Sequence, residues 1–187
     1  MRHKLGRLAW LPLVAIGTMG LAKLVNITID DAGEDPSTHA SIEYTPAIAW
    51  HYGPTCGVCE AVLNSQQTYN GTWHDVTYHP TKATSNLPQN ATFSFTGSAI
   101  YIFGVVAYSG NNPGGHGGAE LFFFIDGGQL GSFSSAVNKT APKYTYNTLL
   151  WSEDTLPHGE HRLTIRNGQD GRGTASLLLL DYIIYST

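Results

Sequence analysis

The chain has 187 residues, a charged fraction of 13%, 21 Gly, 10 Tyr and a formal net charge of −4. Beyond a basic cluster at Arg2, Lys4 and Arg7, only seven Lys and Arg remain, scattered from Lys23 to Arg172 against fourteen Asp and Glu, which argues against the clustered positive field that nucleic-acid binding needs. A composition this poor in charge and rich in Gly and Tyr also argues for an extracellular all-β chain over a helical one.

The first residues carry Arg2, Lys4 and Arg7, and an apolar run from Leu8 to Leu21 follows, interrupted by Pro12 and Gly17. This is the pattern of a secretory signal, and Gly20-Leu21-Ala22 supplies small residues for cleavage after Ala22. Residues 1–22 are therefore expected to be a signal peptide, with retention as a membrane anchor as the alternative. Residues 23–187 would form a single domain, long enough for one buried core, with seven basic residues against fourteen acidic ones. Leu177 to Leu180 is cut short by Asp181, so no membrane span is expected after signal removal. Four sequons, at Asn26, Asn70, Asn90 and Asn138, point to a secreted, N-glycosylated protein of the extracellular space or cell wall.

Alternation dominates the remaining chain. Leu24 to Asp30 reads as a strand with Val25, Ile27 and Ile29 inward, and Ala91 to Phe95 repeats the pattern with Phe93 and Phe95 inward. Ser98 to Val106 is more apolar, as a central strand would be, and Gly104 lets a neighbour approach closely. Leu121 to Ile125, Asp126-Gly127 and Gln129 to Phe133 predict a hairpin, because Asp-Gly supplies the positive φ values of a tight turn. Strands are also expected at Tyr144 to Trp151, Glu160 to Ile165 and Ala175 to Tyr185. Eight to ten short strands at this spacing predict an all-β fold, an antiparallel β-sandwich of jelly-roll type. Two stretches escape the pattern: Asp30 to Tyr69, and the Gly-rich Tyr108 to Gly118 around His116. Long loops on a sandwich commonly carry binding residues.

Cys56 and Cys59 are the only cysteines. Their C-x2-C spacing in a secreted chain points first to a short disulfide. A zinc site that recruits His51 and His74 is the alternative, and a redox centre lacks the βαβ context it would want. Trp73-His74-Asp75, with Tyr78 nearby, gathers the groups a pyranose uses: a ring to stack on its CH face, and donors and acceptors for its hydroxyls. As a strand, this segment would place Trp73, Asp75 and Thr77 on one face and His74, Val76 and Tyr78 on the other, so one face must be core. Trp50, Tyr52 and Tyr108 complete the expected ligand-binding set. No catalytic residue is singled out: the acids form no distinguished pair, and no Gly-x-Ser-x-Gly elbow occurs.

The segments Ile27-Thr28-Ile29-Asp30-Asp31, Trp50 to Cys59 and Tyr69 to Pro80 resemble secreted fungal galactose-binding-domain-like proteins, which are similar to carbohydrate-binding modules. Phe95 to Tyr101, Ile125-Asp126-Gly127, Leu156 to Ile165 and Leu180 to Tyr185 follow in the same order. The resemblance implies a galactose-binding-like jelly roll. It also implies a structural calcium held by acidic residues of the first strand, Asp30 and Asp31, and by Asp181 near the last. The expected function is a secreted, non-catalytic carbohydrate-binding or cell-wall-associated module whose partner is a wall polysaccharide or glycan. A structural or adhesion protein working through protein contacts or self-assembly is the alternative, and a polysaccharide hydrolase the weaker one.

Overall fold

The computed structural model describes residues 24–59, 61–108 and 117–187; the expected signal peptide and His116 lie outside them. Eleven strands follow in chain order: β1 (Asn26–Asp30), β2 (Glu43–Thr45), β3 (His51–Tyr52), β4 (His74–Tyr78), β5 (Gln89–Gly97), β6 (Ala99–Ala107), β7 (Ala119–Ile125), β8 (Gly128–Ser135), β9 (Tyr144–Glu153), β10 (Gly159–Asn167) and β11 (Ser176–Ser186). All named pairings are antiparallel. One sheet runs β3-β4-β11-β6-β9 with β1 also on β11, and the other runs β2-β5-β10-β7-β8. From β4 onward the chain crosses between the sheets repeatedly, as the expected sandwich requires. Among the described residues no helix is long and apolar enough to cross a membrane.

Local chemistry explains the pairing. Asp126 (φ 52) and Gly127 (φ 83) form the tight turn that sets Ile125 opposite Gly128. At Gly104 a Cβ would lie 2.5 Å from the Leu179 carbonyl oxygen, so the close approach of β6 to β11 needs glycine. Alternation then sends Phe93, Phe95, Leu121, Phe123, Leu163 and Ile165 inward against Ile29, Ile100, Ile102, Leu178, Leu180 and Ile183 of the facing sheet. Each such side chain, fully buried, contributes roughly 1.5–3 kcal/mol. Val25, expected inward, is instead exposed: β1 begins at Asn26, and Val25 lies beyond the edge of the core while its N–H pairs with the Thr187 carbonyl.

The six-stranded sheet is covered on both faces. A second apolar cluster on its outer side joins Ala61, Leu63 and Trp73 to Val105, Ala107, Leu177 and Leu179. This is why Leu177 to Leu180 shows no alternation: Leu178 and Leu180 face the central core while Leu177 and Leu179 face the outer cluster. The covering segment is pinned by its own backbone, with the N–H groups of Val62 and Asn64 donating to the hydroxyls of Tyr144 and Tyr146. Cys56 and Cys59 are joined as a disulfide within it.

That covering corrects the expected ligand surface. Trp73 is 4% exposed and Trp50 7%, and Tyr78 and Asp75 are also buried. Trp73 packs in the outer cluster and Trp50 in the central one, while the Tyr78 ring lies against Gly168. Trp50, Trp73 and Tyr78 are spent on packing, while Asp75, largely buried, borders only the cavity beside the disulfide loop.

Candidate functional site

Two arrangements carry chemistry. The first follows from the topology of β11. Its edge pairs with β1 through Tyr182 to Ser186 and with β4 through Ser176 to Leu180, so β1 and β4 lie end to end along one strand. Asp181 falls at their junction, where the pairing of β11 with β6 also shifts register. The end of β1 delivers Asp30 and Asp31, and the start of β4 delivers His74.

At this junction the Asp31 N–H donates to the Asp181 carbonyl at 3.0 Å, and the Tyr69 N–H donates to Asp181 Oδ1 at 2.8 Å. Thr72 Oγ1 lies 2.5 Å from Asp31 Oδ1 and 3.0 Å from Asp30 Oδ1, and His74 Nδ1 is 2.5 Å from Asp31 Oδ2. Tyr44 donates to the Asp31 carbonyl at 2.6 Å and stacks on the His74 ring at 4.0 Å, with Trp50 and Tyr52 at the sides of this aromatic group. Burial pushes Asp181 up to about 7 against the Tyr69 N–H, and the charges of Asp31 and Asp30 add to the rise. Burial and then the charge of Asp31 raise Asp30; burial followed by the charges of both aspartates raises the Tyr44 phenol. The structure thus places the three expected acids around one junction, without bringing one oxygen from each within 4.8 Å of the others as a single ion would need. The donors fit calcium in kind, being hard oxygens whose mutual repulsion a divalent charge offsets.

The second arrangement lies on the outer face of the five-stranded sheet. Register sets Asn90, Arg166 and Phe122 in a row across β5, β10 and β7. Thr92, Thr164 and Phe124 form the row beside it. The Arg166 guanidinium lies 4.6 Å above the Phe124 ring, and its Nε donates to Asn90 Oδ1 at 3.3 Å. Leu87, Pro88 and residues of the loop from Gly168 to Arg172 line, with these rows, an open groove of about 650 Å³. Phe122 and Phe124 stay half-buried, so each offers part of a ring to the groove. Sequence reasoning passed over these residues. Leu121 to Ile125 is uniformly apolar, so no alternation in the sequence marked them; only the strand geometry, with Phe123 inward, turns Phe122 and Phe124 outward.

The remaining expected binding residues sit elsewhere. Tyr52 is exposed on β3 beside His74, and Tyr108 packs partly buried against the central core. Of the sequons, Asn26, Asn70 and Asn138 are exposed and Asn90 is half-buried at the groove.

The fold and groove define an antiparallel β-sandwich with one covered sheet and one open, partly aromatic sheet face. No family model and no curated protein matches the chain. Among solved structures it is similar to the Agl-KA catalytic domain at 11% identity and a TM-score of 0.45, over 95% of this chain and 30% of that one. It is also similar to an exo-β-1,3-galactanase from Phanerochaete chrysosporium with β-1,3-galactotriose, at 11% identity and a TM-score of 0.43, over 87% and 29%. A Paenibacillus sp. cycloisomaltooligosaccharide glucanotransferase complexed with cycloisomaltoheptaose follows, at 14% identity and a TM-score of 0.39, over 72% and 17%. The chain spans less than a third of each of these proteins, and the likeness is too distant to carry an argument about activity.

Proposed function

We propose that the protein is a secreted, non-catalytic carbohydrate-binding module, and that its ligand lies across the outer face of the five-stranded sheet. The groove at Phe122, Phe124 and Arg166 supports this reading. Half-exposed rings offer the apolar surface on which a pyranose CH face packs, while Arg166, Gln129 and Gln169 surround them with hydroxyl partners. The wall polysaccharide expected as partner belongs to this proposal, as does the resemblance to galactose-binding-like proteins. So does calcium at Asp30, Asp31 and Asp181, which would fix the junction of β1, β4 and β11 and supply no reaction.

The test is a glycan array followed by calorimetry on the polysaccharides it selects. Phe124→Ala should weaken binding by about tenfold or more, as loss of one stacking ring implies, and Arg166→Ala should do the same while the fold persists by circular dichroism. Binding that survives both substitutions places the ligand elsewhere.

A protein-contact role is the second reading. Ile48 and Val58 are 91% and 80% exposed and border one cavity beside the disulfide loop. It predicts self-association in light scattering that sugars do not compete and that Ile48→Ser abolishes.

A further inference from the structure

The disulfide loop carries chemistry that the sugar-binding reading leaves unused. The sulfurs of Cys56 and Cys59 and a ring nitrogen of His51 all lie within 4.8 Å of one another. The C-x2-C spacing leaves His51 and His74 equally open as partners for the pair. The fold separates them: His74 is engaged with Asp31 and stacked on Tyr44, whereas His51 stands beside the sulfurs. His51 is held by the pairing of β3 with β4, opposite Asp75. The short turn Gly53–Thr55 then reverses the chain, with the Cys56 N–H donating to the Gly53 carbonyl at 3.1 Å, and this folds the loop back toward the imidazole. Two thiolates and an imidazole form a donor set for a borderline cation such as zinc. Cys59 and His51 also line a cavity of about 530 Å³, which leaves a fourth coordination position for water.

We propose that His51, Cys56 and Cys59 form a redox-gated zinc site, closed while the cysteines are paired and able to take one ion once they are reduced. The site stands independently of the sugar-binding groove. In the gating step an external dithiol gives two electrons and two protons to the Cys56–Cys59 bond; the S–S bond breaks to two thiols and the reductant leaves as its own disulfide. Zinc then displaces the two thiol protons to solvent and bonds both Sγ atoms and one imidazole nitrogen. The loop is accessible to such a reductant, since a Cβ at Gly57 would meet nothing within 4 Å and Val58 is exposed. The cysteines are only three positions apart, so opening the bond releases a short loop and leaves both sheets paired.

The experiment uses the whole chain, reduced with excess dithiol, cleared of it by anaerobic gel filtration, and titrated with Co²⁺ as a spectroscopic stand-in and with Zn²⁺ in competition. The expected result is a thiolate-to-cobalt charge-transfer band that saturates at one equivalent, is absent from the unreduced protein and is bleached by zinc. His51→Ala should weaken cobalt binding by about tenfold or more, while His74→Ala leaves it unchanged. Near-ultraviolet circular dichroism establishes that each reduced protein is folded. A folded, reduced protein without the band overturns the proposal, and so does a His51→Ala titration that matches the parent.

Discussion

Asp35 offers the sharpest test of how the loop after β1 is fastened. Its carboxylate is fully buried; Oδ1 accepts from the Ser37 N–H at 2.7 Å, the Ser37 hydroxyl at 2.6 Å and the Thr38 N–H at 3.0 Å, and Oδ2 accepts from the Tyr185 hydroxyl of β11. Burial alone would raise its pKa, but the donors from Ser37, Tyr185 and Thr38 outweigh it and bring the group from 3.8 down to about 2. At 1.36 kcal/mol per pH unit the fold prefers the carboxylate over its neutral form by roughly 2–3 kcal/mol. Ser37 and Thr38 are exposed, so solvent screening lowers this to about 2 kcal/mol. Asp35→Asn keeps the shape and removes the charge. For a depressed carboxylate the contribution is fully present above the unfolded pKa and is lost as pH falls through the folded one. The variant should therefore melt roughly 4–8 °C below the parent at pH 7, and the gap should close between about pH 4 and pH 2. Thermal melts in steps of one pH unit measure this. A gap of constant size down to pH 2.5, or none at pH 7, would refute the assignment of the stabilisation to the charge.

Three further outcomes are expected. Gly53→Ala places a Cβ 1.9 Å from Trp73 Nε1, so it should cost about 3 kcal/mol by displacing the ring, read as an early melt with altered tryptophan fluorescence; an unchanged melt would show that Trp73 is not fixed there. Calcium added after chelation, at a hundredfold its dissociation constant, should stabilise the parent by about 2.7 kcal/mol, and Asp181→Asn should abolish the shift; equal melts with calcium and chelator would remove calcium from the proposal. Asn90→Gln, in protein from a glycosylating host, should raise affinity for the ligand of the groove, because a glycan on Asn90 would stand among the lining residues; an affinity independent of this substitution would place the ligand away from β5.

Much of the sandwich was legible because each half-covered strand repeats its environment every two residues. β5 follows the expected alternation, and Asp126-Gly127 fixed the hairpin through backbone preference alone. The Trp73 segment was legible only as a strand. Its burial depends on Ala61 and Leu63 folding over the outer face of β11, a contact between residues more than a hundred positions apart that local periodicity does not encode. Separation along the chain also hid the groove, since Asn90, Arg166 and Phe122 become neighbours only through the register of three strands. The physical cause of the acidic junction, two strands sharing one edge of β11, emerges only from the topology.

The uneven covering of the two sheets narrows where an extended ligand can lie. On the six-stranded sheet, Trp73 and Leu63 close over Leu177 and Leu179, and uncovering that face would expose an apolar cluster whose burial helps hold β11 in place. The five-stranded sheet turns Thr92, Ser94, Thr164, Phe122 and Phe124 outward, a mixture of hydroxyls and partly buried rings. Single exposed apolar residues need no explanation, but two half-buried rings, Phe124 beneath Arg166 and Phe122 beside it, form with the lining loops a surface that a ligand could cover. A flat chain with alternating apolar and hydroxyl faces suits that surface, which is why the groove carries the sugar-binding proposal more firmly than the aromatic sequence around Trp73.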